Sequence, residues 1–140
     1  MNDMNTPKAI ICVDDDKTIL SALRFQLGKI LGNQIIIEIA ENGFEAIEII
    51  EELIEEGIQI SILVSDQIMP EMQGHELVEK VGNQFPEIKC IILTGYIEPM
   101  ENEKLVEQSQ NLLAVINKPW DEKQLIELIT PYYKAWIYIL

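Results

Sequence analysis

Five short apolar runs recur along the chain: Ala9–Val13, Ile35–Ala40, Ile62–Ser65, Cys90–Thr94 and Ala114–Asn117. Each is rich in β-branched residues and almost wholly apolar, the pattern of strands covered on both faces. Longer segments with helical spacing lie between them. Leu20, Leu23, Leu27, Ile30 and Leu31 make one stripe. Ala46, Ile50, Leu53 and Ile54 make a second, with Glu48, Glu51, Glu52, Glu55 and Glu56 turned mostly outward and Gly57 ending the helix. Leu77, Val78, Val81 and Phe85 make a third, stopped before Pro86. A more polar helix covers residues 100–110, and Asp121 is placed to cap a last one carrying Leu125, Ile126 and Ile129.

Strict alternation of this kind predicts an α/β fold, a doubly wound (βα)₅ unit with a five-stranded parallel sheet between two helical layers. Its crossovers are right-handed. The favoured strand order is 2-1-3-4-5, the flavodoxin-like arrangement, which binds ligands at the carboxyl ends of the strands. Strands 1 and 4 are not neighbours in that order, so Cys12 and Cys90 are expected to be too far apart for a disulfide.

The length of 140 residues suits one domain, and 48% hydrophobic residues can build a core without staples. The expected division is a domain over 1–130, followed by 131–140 as a helical extension or the start of a linker to an output domain. That tail, from Tyr132 to Leu140, is strongly apolar and aromatic. It either packs back on its own domain or offers a dimer or linker surface. Thr130-Pro131 before it reads as a cap followed by a first helical position, or as a kink.

Charge narrows the partners. With 24 acids against 10 bases the net charge is −14, which repels nucleic-acid phosphates and anionic lipid. Both cysteines sit in apolar runs without zinc-type spacing, as reduced, buried thiols do. Met1 to Lys8 is polar, and no apolar run approaches the roughly 18 residues of a membrane span. The expectation is a soluble cytoplasmic module that binds neither nucleic acid nor membrane.

The chemistry lies at the strand ends. Strand 1 is followed by Asp14, Asp15 and Asp16, strand 3 by Asp66, strand 4 by Thr94 and Gly95, and strand 5 by Lys118. In a parallel sheet all of these face one edge. Packed carboxylates repel, and their pKa values rise unless a cation neutralises them. Mg²⁺, held by one or two carboxylates plus waters and phosphate oxygens, answers that need. A carboxylate nucleophile, a metal site, the Lys118 ammonium and the Thr94 hydroxyl make up the equipment of phosphoryl transfer. Taken singly, each residue is ordinary. An Asp after a strand is usually a helix cap, and Asp16, just before Lys17, fits that role.

At these residues the chain resembles the receiver domains of two-component response regulators, from about Lys8 to Ile129. Val13-Asp14-Asp15-Asp16 resembles the acidic pair of that family. The run from Ser65-Asp66 through Met69-Pro70-Glu71-Met72-Gln73-Gly74 resembles its phosphoacceptor segment. Leu93-Thr94-Gly95-Tyr96 and Lys118-Pro119-Trp120-Asp121 resemble its threonine and lysine motifs. The resemblance implies that Asp66 accepts the phosphoryl group. It implies a Mg²⁺ site, with Mn²⁺ as a substitute, made by Asp15, Asp66 and the backbone carbonyl of Ile68, with Asp14 acting mostly through water. Lys118 would contact the phosphoryl group, and Thr94 would report it to the face made by the fourth helix, fifth strand and fifth helix. The Lys118-Pro119 bond is a candidate cis peptide.

The implied partners are a sensor histidine kinase or phosphotransfer protein, and an output domain or effector on that face; a homodimer is a further option. The module would be a switch rather than an enzyme, catalysing only its own phosphorylation and dephosphorylation. Its Thr-Gly-Tyr and Lys-Pro-Trp-Asp variants resemble receivers attached to signalling enzymes, such as cyclic-dinucleotide phosphodiesterases or hybrid kinases. One departure is Val115, where the family often has an aromatic residue that follows the threonine. Ile68 and Tyr96 flank the approach of hydrolytic water in the family, and here both are bulky, which implies a slowly hydrolysed acyl phosphate.

Two rivals share parts of this pattern. Asp14-x-Asp16-x-Thr18 matches the opening motif of haloacid-dehalogenase-type phosphatases, with Asp14 as nucleophile and Asp16 as acid–base. That family needs an acidic pair after the lysine, where only Asp121 and Glu122 follow, and a cap insertion that this chain lacks. A pseudo-receiver, used only for interaction, would not need the intact set of acids, Thr94 and Lys118.

Overall fold

The computed structural model describes residues 6–95 and 99–133, the side chains of Gln34 and 99–103 excepted. Five strands alternate with five helices: β1 (Lys8–Val13), α1 (Lys17–Leu31), β2 (Ile35–Ala40), α2 (Gly43–Glu55), β3 (Gln59–Asp66), α3 (Gly74–Gln84), β4 (Lys89–Thr94), α4 (Pro99–Gln108), β5 (Leu112–Asn117) and α5 (Glu122–Ile129). The strands form one parallel sheet in the order β2-β1-β3-β4-β5, the flavodoxin-like arrangement expected from the alternation.

Successive strand residues point to opposite faces, so each central strand feeds two cores. Ile11, Val13, Leu63 and Ile92 meet Ile50 and Leu77 of α2 and α3 on one side. Ile10, Cys12, Val64 and Leu93 meet Leu23, Leu27 and Leu125 of α1 and α5 on the other. Every residue of β1 is buried, which explains the unbroken apolar run Ala9–Val13 that follows Lys8. Cys12 and Cys90 belong to opposite cores and are free thiols, with burial pushing each up to about 12.

The helix starts carry polar caps that satisfy orphan amides. Asp16 accepts from Thr18 N at 2.9 Å, Asn42 from Glu45 N at 2.8 Å and Asp121 from Lys123 N at 3.0 Å. Gln73 and Glu76 cap α3 reciprocally. Gly57, with φ of 81°, takes the left-handed turn after α2 that a side chain would oppose.

The strands are longer than their apolar runs suggest. β3 starts at Gln59 rather than Ile62, and β1 at Lys8 rather than Ala9. Lys8 and Gln59 are ladder partners, and Lys8 Nζ donates to Gln59 Oε1 at 3.1 Å. Between Ile60 and Ile62 the β1–β3 register shifts by one, so Ser61 is a bulged residue with no partner in β1.

Thr130–Tyr132 is a 3₁₀ turn running on from α5, with Pro131 in its first turn and Thr130 Oγ1 donating to the Ile126 carbonyl at 2.6 Å. Tyr133 then folds back, fully buried, and its hydroxyl donates to the Ala9 carbonyl at 3.0 Å. Tyr96 and the tail from Lys134 to Leu140 lie outside the described residues. No described helix is long and apolar enough to cross a membrane.

Candidate functional site

The ladder, rather than the loops, brings the acids together. Val13 of β1 is the register partner of Ser65 in β3, so the next residues, Asp14 and Asp66, emerge side by side. Asp14, Asp15 and Asp66 each offer a carboxylate oxygen, and the three oxygens lie within 4.8 Å of one another. Asp14 is 2% exposed and Asp66 7%, while Asp15 is open to solvent.

Lys118 closes the site from the end of β5. Its Nζ lies 2.8 Å from Asp14 Oδ2 and 3.1 Å from Asp66 Oδ1. The Lys118 backbone amide donates to the Thr94 carbonyl at 2.7 Å, which fixes the start of this connection against β4. Thr94 itself is buried at the β4 terminus. The Lys118–Pro119 peptide is cis. Backbone amides complete the set: Asp16 N donates to Asp14 Oδ1 and Gln67 N to Asp66 Oδ1, each at 2.9 Å.

Burial pushes the Asp14 carboxyl above the usual range, against the pull of the Lys118 hydrogen bond and the Asp16 amide; the charge on Asp66 adds to the rise. Burial works against the Lys118 ammonium too, but its hydrogen bonds to Asp14 and Asp66 outweigh this and hold its pKa above the ordinary value. The cluster is short of positive charge. Among the described residues, three carboxylates cluster and the Lys118 ammonium pairs with two of them, Asp14 and Asp66; a hard divalent cation with oxygen ligands fits that donor set.

The segment after Asp66 is pinned by its own motif. Met69 and Met72 are buried, and Met72 sits so close to α2 that a Cβ on Gly43 would lie 2.5 Å from its Sδ. Glu71 carries a positive φ of 69° in the tight turn between them. Gly74 starts α3 against the end of β3, where a Cβ would fall 2.3 Å from the Asp66 carbonyl oxygen. Ile68 is 66% exposed beside this turn.

Two residues that sequence reasoning did not single out join the site from the α3 side. Gln67 accepts from Gly74 N through its carbonyl at 2.9 Å and from His75 N through Oε1 at 2.9 Å. Its Nε2 meets His75 Nδ1 at 2.6 Å. Nothing in an eight-residue spacing signals this contact; it depends on Gly74 letting α3 approach. The acids that the phosphatase reading needs are engaged elsewhere: Asp16 caps α1 and Asp121 caps α5. Trp120 is held away on α1, its indole N–H donating to Gln26 Oε1 at 2.7 Å, and Val115 packs in the core beneath α4.

The family profile of the response regulator receiver domain matches residues 10–130. The chain belongs to the response-regulator receiver family. This receiver is 32% identical over 130 residues to an uncharacterized 14.6 kDa protein of Leptolyngbya boryana, covering 91% of each chain. It is 38% identical over 86 residues to the sensor kinase CckA of Brucella abortus, a match that covers 61% of this chain and 9% of the kinase. Among solved structures it resembles a CheY-like response regulator receiver domain protein of Methanospirillum hungatei, with 30% identity, a TM-score of 0.75, and 93% and 96% of the two chains covered. The Asp14, Asp15 and Asp66 triad is the acidic pocket typical of the receiver Mg²⁺ site. A receiver is a two-component signalling module rather than a conventional enzyme, and it implies a histidine kinase as partner.

Proposed function

We propose that Asp66 accepts a phosphoryl group from a histidine kinase or phosphotransfer protein, and that the acyl phosphate switches the α4–β5–α5 face. The observation that carries this is the buried Asp66 carboxylate within reach of Asp14, Asp15 and Lys118. The Gln67 amide and the Lys118 ammonium both meet Asp66 at Oδ1. An Asp66 carboxylate oxygen forms a bond to phosphorus as the bond from phosphorus to the donor imidazole nitrogen breaks. The imidazole keeps the electron pair and takes up a proton. Lys118 shifts from Asp66 to the incoming phosphoryl oxygens, whose charge it shares. Thr94, at the end of the neighbouring strand, donates its hydroxyl to them.

Asp14, Asp15, Asp66 and the Ile68 carbonyl would hold Mg²⁺, or Mn²⁺ in its place; when bound, the ion neutralises phosphoryl oxygens. The receiver unit is proposed to span 1–130, with 131–140 as a helical extension or the start of a linker whose first part, through the buried Tyr133, packs back on the unit; the module is proposed to be cytoplasmic. The exposed Ile68 side chain shields the acyl phosphate from water.

Incubation with acetyl phosphate and Mg²⁺, read by intact mass, tests this. Asp66→Asn is expected to abolish the phosphoryl adduct, and Asp14→Asn to slow its formation. An adduct that survives Asp66→Asn and disappears with Asp14→Asn assigns the covalent role to Asp14. No adduct on the wild type under any donor supports the pseudo-receiver.

A further inference from the structure

The amide of Gln67 touches the reactive carboxylate at one end and, through its side chain, His75 at the other. Gln67 N donates to Asp66 Oδ1, and the Gln67 side chain reaches over Gly74 to the first turn of α3. Because Oε1 accepts from the backbone N–H of His75, the orientation of this amide is fixed. Nε2 must therefore be the donor in the 2.6 Å contact with His75 Nδ1. An imidazole that accepts at Nδ1 is neutral, with its proton on Nε2. A protonated His75 has two N–H donors, and the contact becomes donor against donor.

His75 is half-buried at the rim of a groove of about 400 Å³ between α3 and the α4–β5 connection. Glu79, one turn further along α3, is the charged residue lining the groove beside it; Leu105, Gln108, Ser109 and Asn111 face them from the α4 side. None of those four titrates near neutrality. From the β3–α3 turn, Gln67 is the group in hydrogen-bond contact with the ring.

We propose that Gln67 and His75 form a latch that positions Asp66 for phosphorylation, and that protonation of His75 releases it. His75 is a positioning residue: it acts on Asp66 through Gln67 and touches no reacting atom. With the latch closed, the turn after β3 is tied to α3 by three hydrogen bonds, two through the Gln67 side chain and one through its carbonyl. Protonation breaks the one of the three that involves the ring, so the Gln67 turn is held by its two backbone-donated bonds alone and the carboxylate that it orients gains freedom. The proposal rests on Asp66 being the phosphoacceptor.

His75→Asn separates the two parts of this claim, since an Asn carbonyl oxygen can replace Nδ1 as acceptor and does not titrate. Wild type and His75→Asn are titrated between about pH 8 and about pH 5, the interval in which imidazoles change charge. Amide NMR and the rate of phosphorylation by acetyl phosphate with Mg²⁺ are both followed. In the wild type, the Gln67 backbone and side-chain resonances are expected to move in step with the His75 ring. In His75→Asn they stay put. The wild-type rate is expected to fall several-fold relative to His75→Asn toward low pH and to match it at high pH. His75→Leu, which removes the acceptor, is expected to be slow throughout.

Gln67 resonances indifferent to the His75 titration, or a constant rate ratio between wild type and His75→Asn, overturn the proposal. A His75→Leu protein that folds and reacts at the wild-type rate at high pH overturns it as well. A protein that takes no phosphoryl group at any pH while Gln67 still follows His75 overturns the phosphoacceptor reading and with it the positioning role, and is told apart from failure of the latch itself by the retained coupling of Gln67 to His75.

Discussion

Lys118 lies 2.8 Å from Asp14, the more buried of the two carboxylates that it touches. The strand-end reading assigns this lysine to the phosphoryl group; in the structure it neutralises the acids themselves. One ammonium serves both arrangements only if it can exchange partners, and its flexible stem permits that.

Removing the ammonium should expose the cost of the acid cluster. Breaking one side of a buried ion pair costs roughly 3–5 kcal/mol. Lys118 keeps 18% of its side chain exposed, so Lys118→Met is expected to lose less, about 2 kcal/mol, in urea denaturation with EDTA present. Mg²⁺ should restore part of the loss. A variant as stable as the wild type in EDTA would mean that Asp14 finds another partner or its proton.

The raised Asp14 pKa gives a signed pH dependence. A carboxyl raised by burial binds its proton more tightly folded than unfolded. Its contribution to stability is full below the unfolded value of about 3.9 and is lost as pH climbs through the folded one. Asp14→Asn is neutral throughout. In metal-free buffer it should therefore gain stability on the wild type as pH is raised from about 4 toward 7. Parallel denaturation midpoints across that interval would contradict the assignment. Lys118, also raised, stabilises the fold below its unfolded value of about 10.4 and loses that contribution as pH rises through the folded one.

Gly74→Ala should damage both stability and phosphorylation. The added methyl would meet the Asp66 carbonyl oxygen at 2.3 Å and Gln67 Cα at 2.9 Å, backbone atoms that cannot swing aside. Forced overpacking of this kind costs about 1–3 kcal/mol. The shift falls on the turn that carries the reactive carboxylate. Unchanged thermal stability with an unchanged phosphorylation rate would show that α3 can retreat freely.

Tyr133 is expected to be a structural anchor rather than part of the tail. Tyr133→Phe removes a buried donor to the Ala9 carbonyl and should cost about 1 kcal/mol. Tyr133→Ala removes a fully buried ring and should cost about 3–5 kcal/mol. Equal stability of all three proteins in denaturant would place residue 133 outside the folding unit.

Much of this was legible in the residues. Apolar runs located the strands because a doubly covered sheet tolerates little polarity in its middle. The acids and Lys118 were legible because strand ends of a parallel sheet share one edge. The strand beginnings were not, since Lys8, Gln59 and Ser61 are polar and are held in the ladder by each other or by a bulge. Of the capping pair, Gln73 was hidden inside a motif read for other reasons, and Glu76 lies just past its end. The Gln67–His75 contact could not be read, because it depends on how closely α3 approaches the strand end, and a sequence does not display distances.

Ser61 is one residue that β3 has and β1 does not match. Its extra length divides the strand into two stretches, one aligned with Lys8 and Ala9 and the other with Ile10 through Val13. Delete it, and one stretch must slip: either the start of the strand lets go of the sheet, or Asp66 turns to the opposite face from its fellow acids. Insertions and deletions are therefore tolerable in the surface turns and ruinous here, so a single weakly polar position inside the core counts out where the chemistry falls.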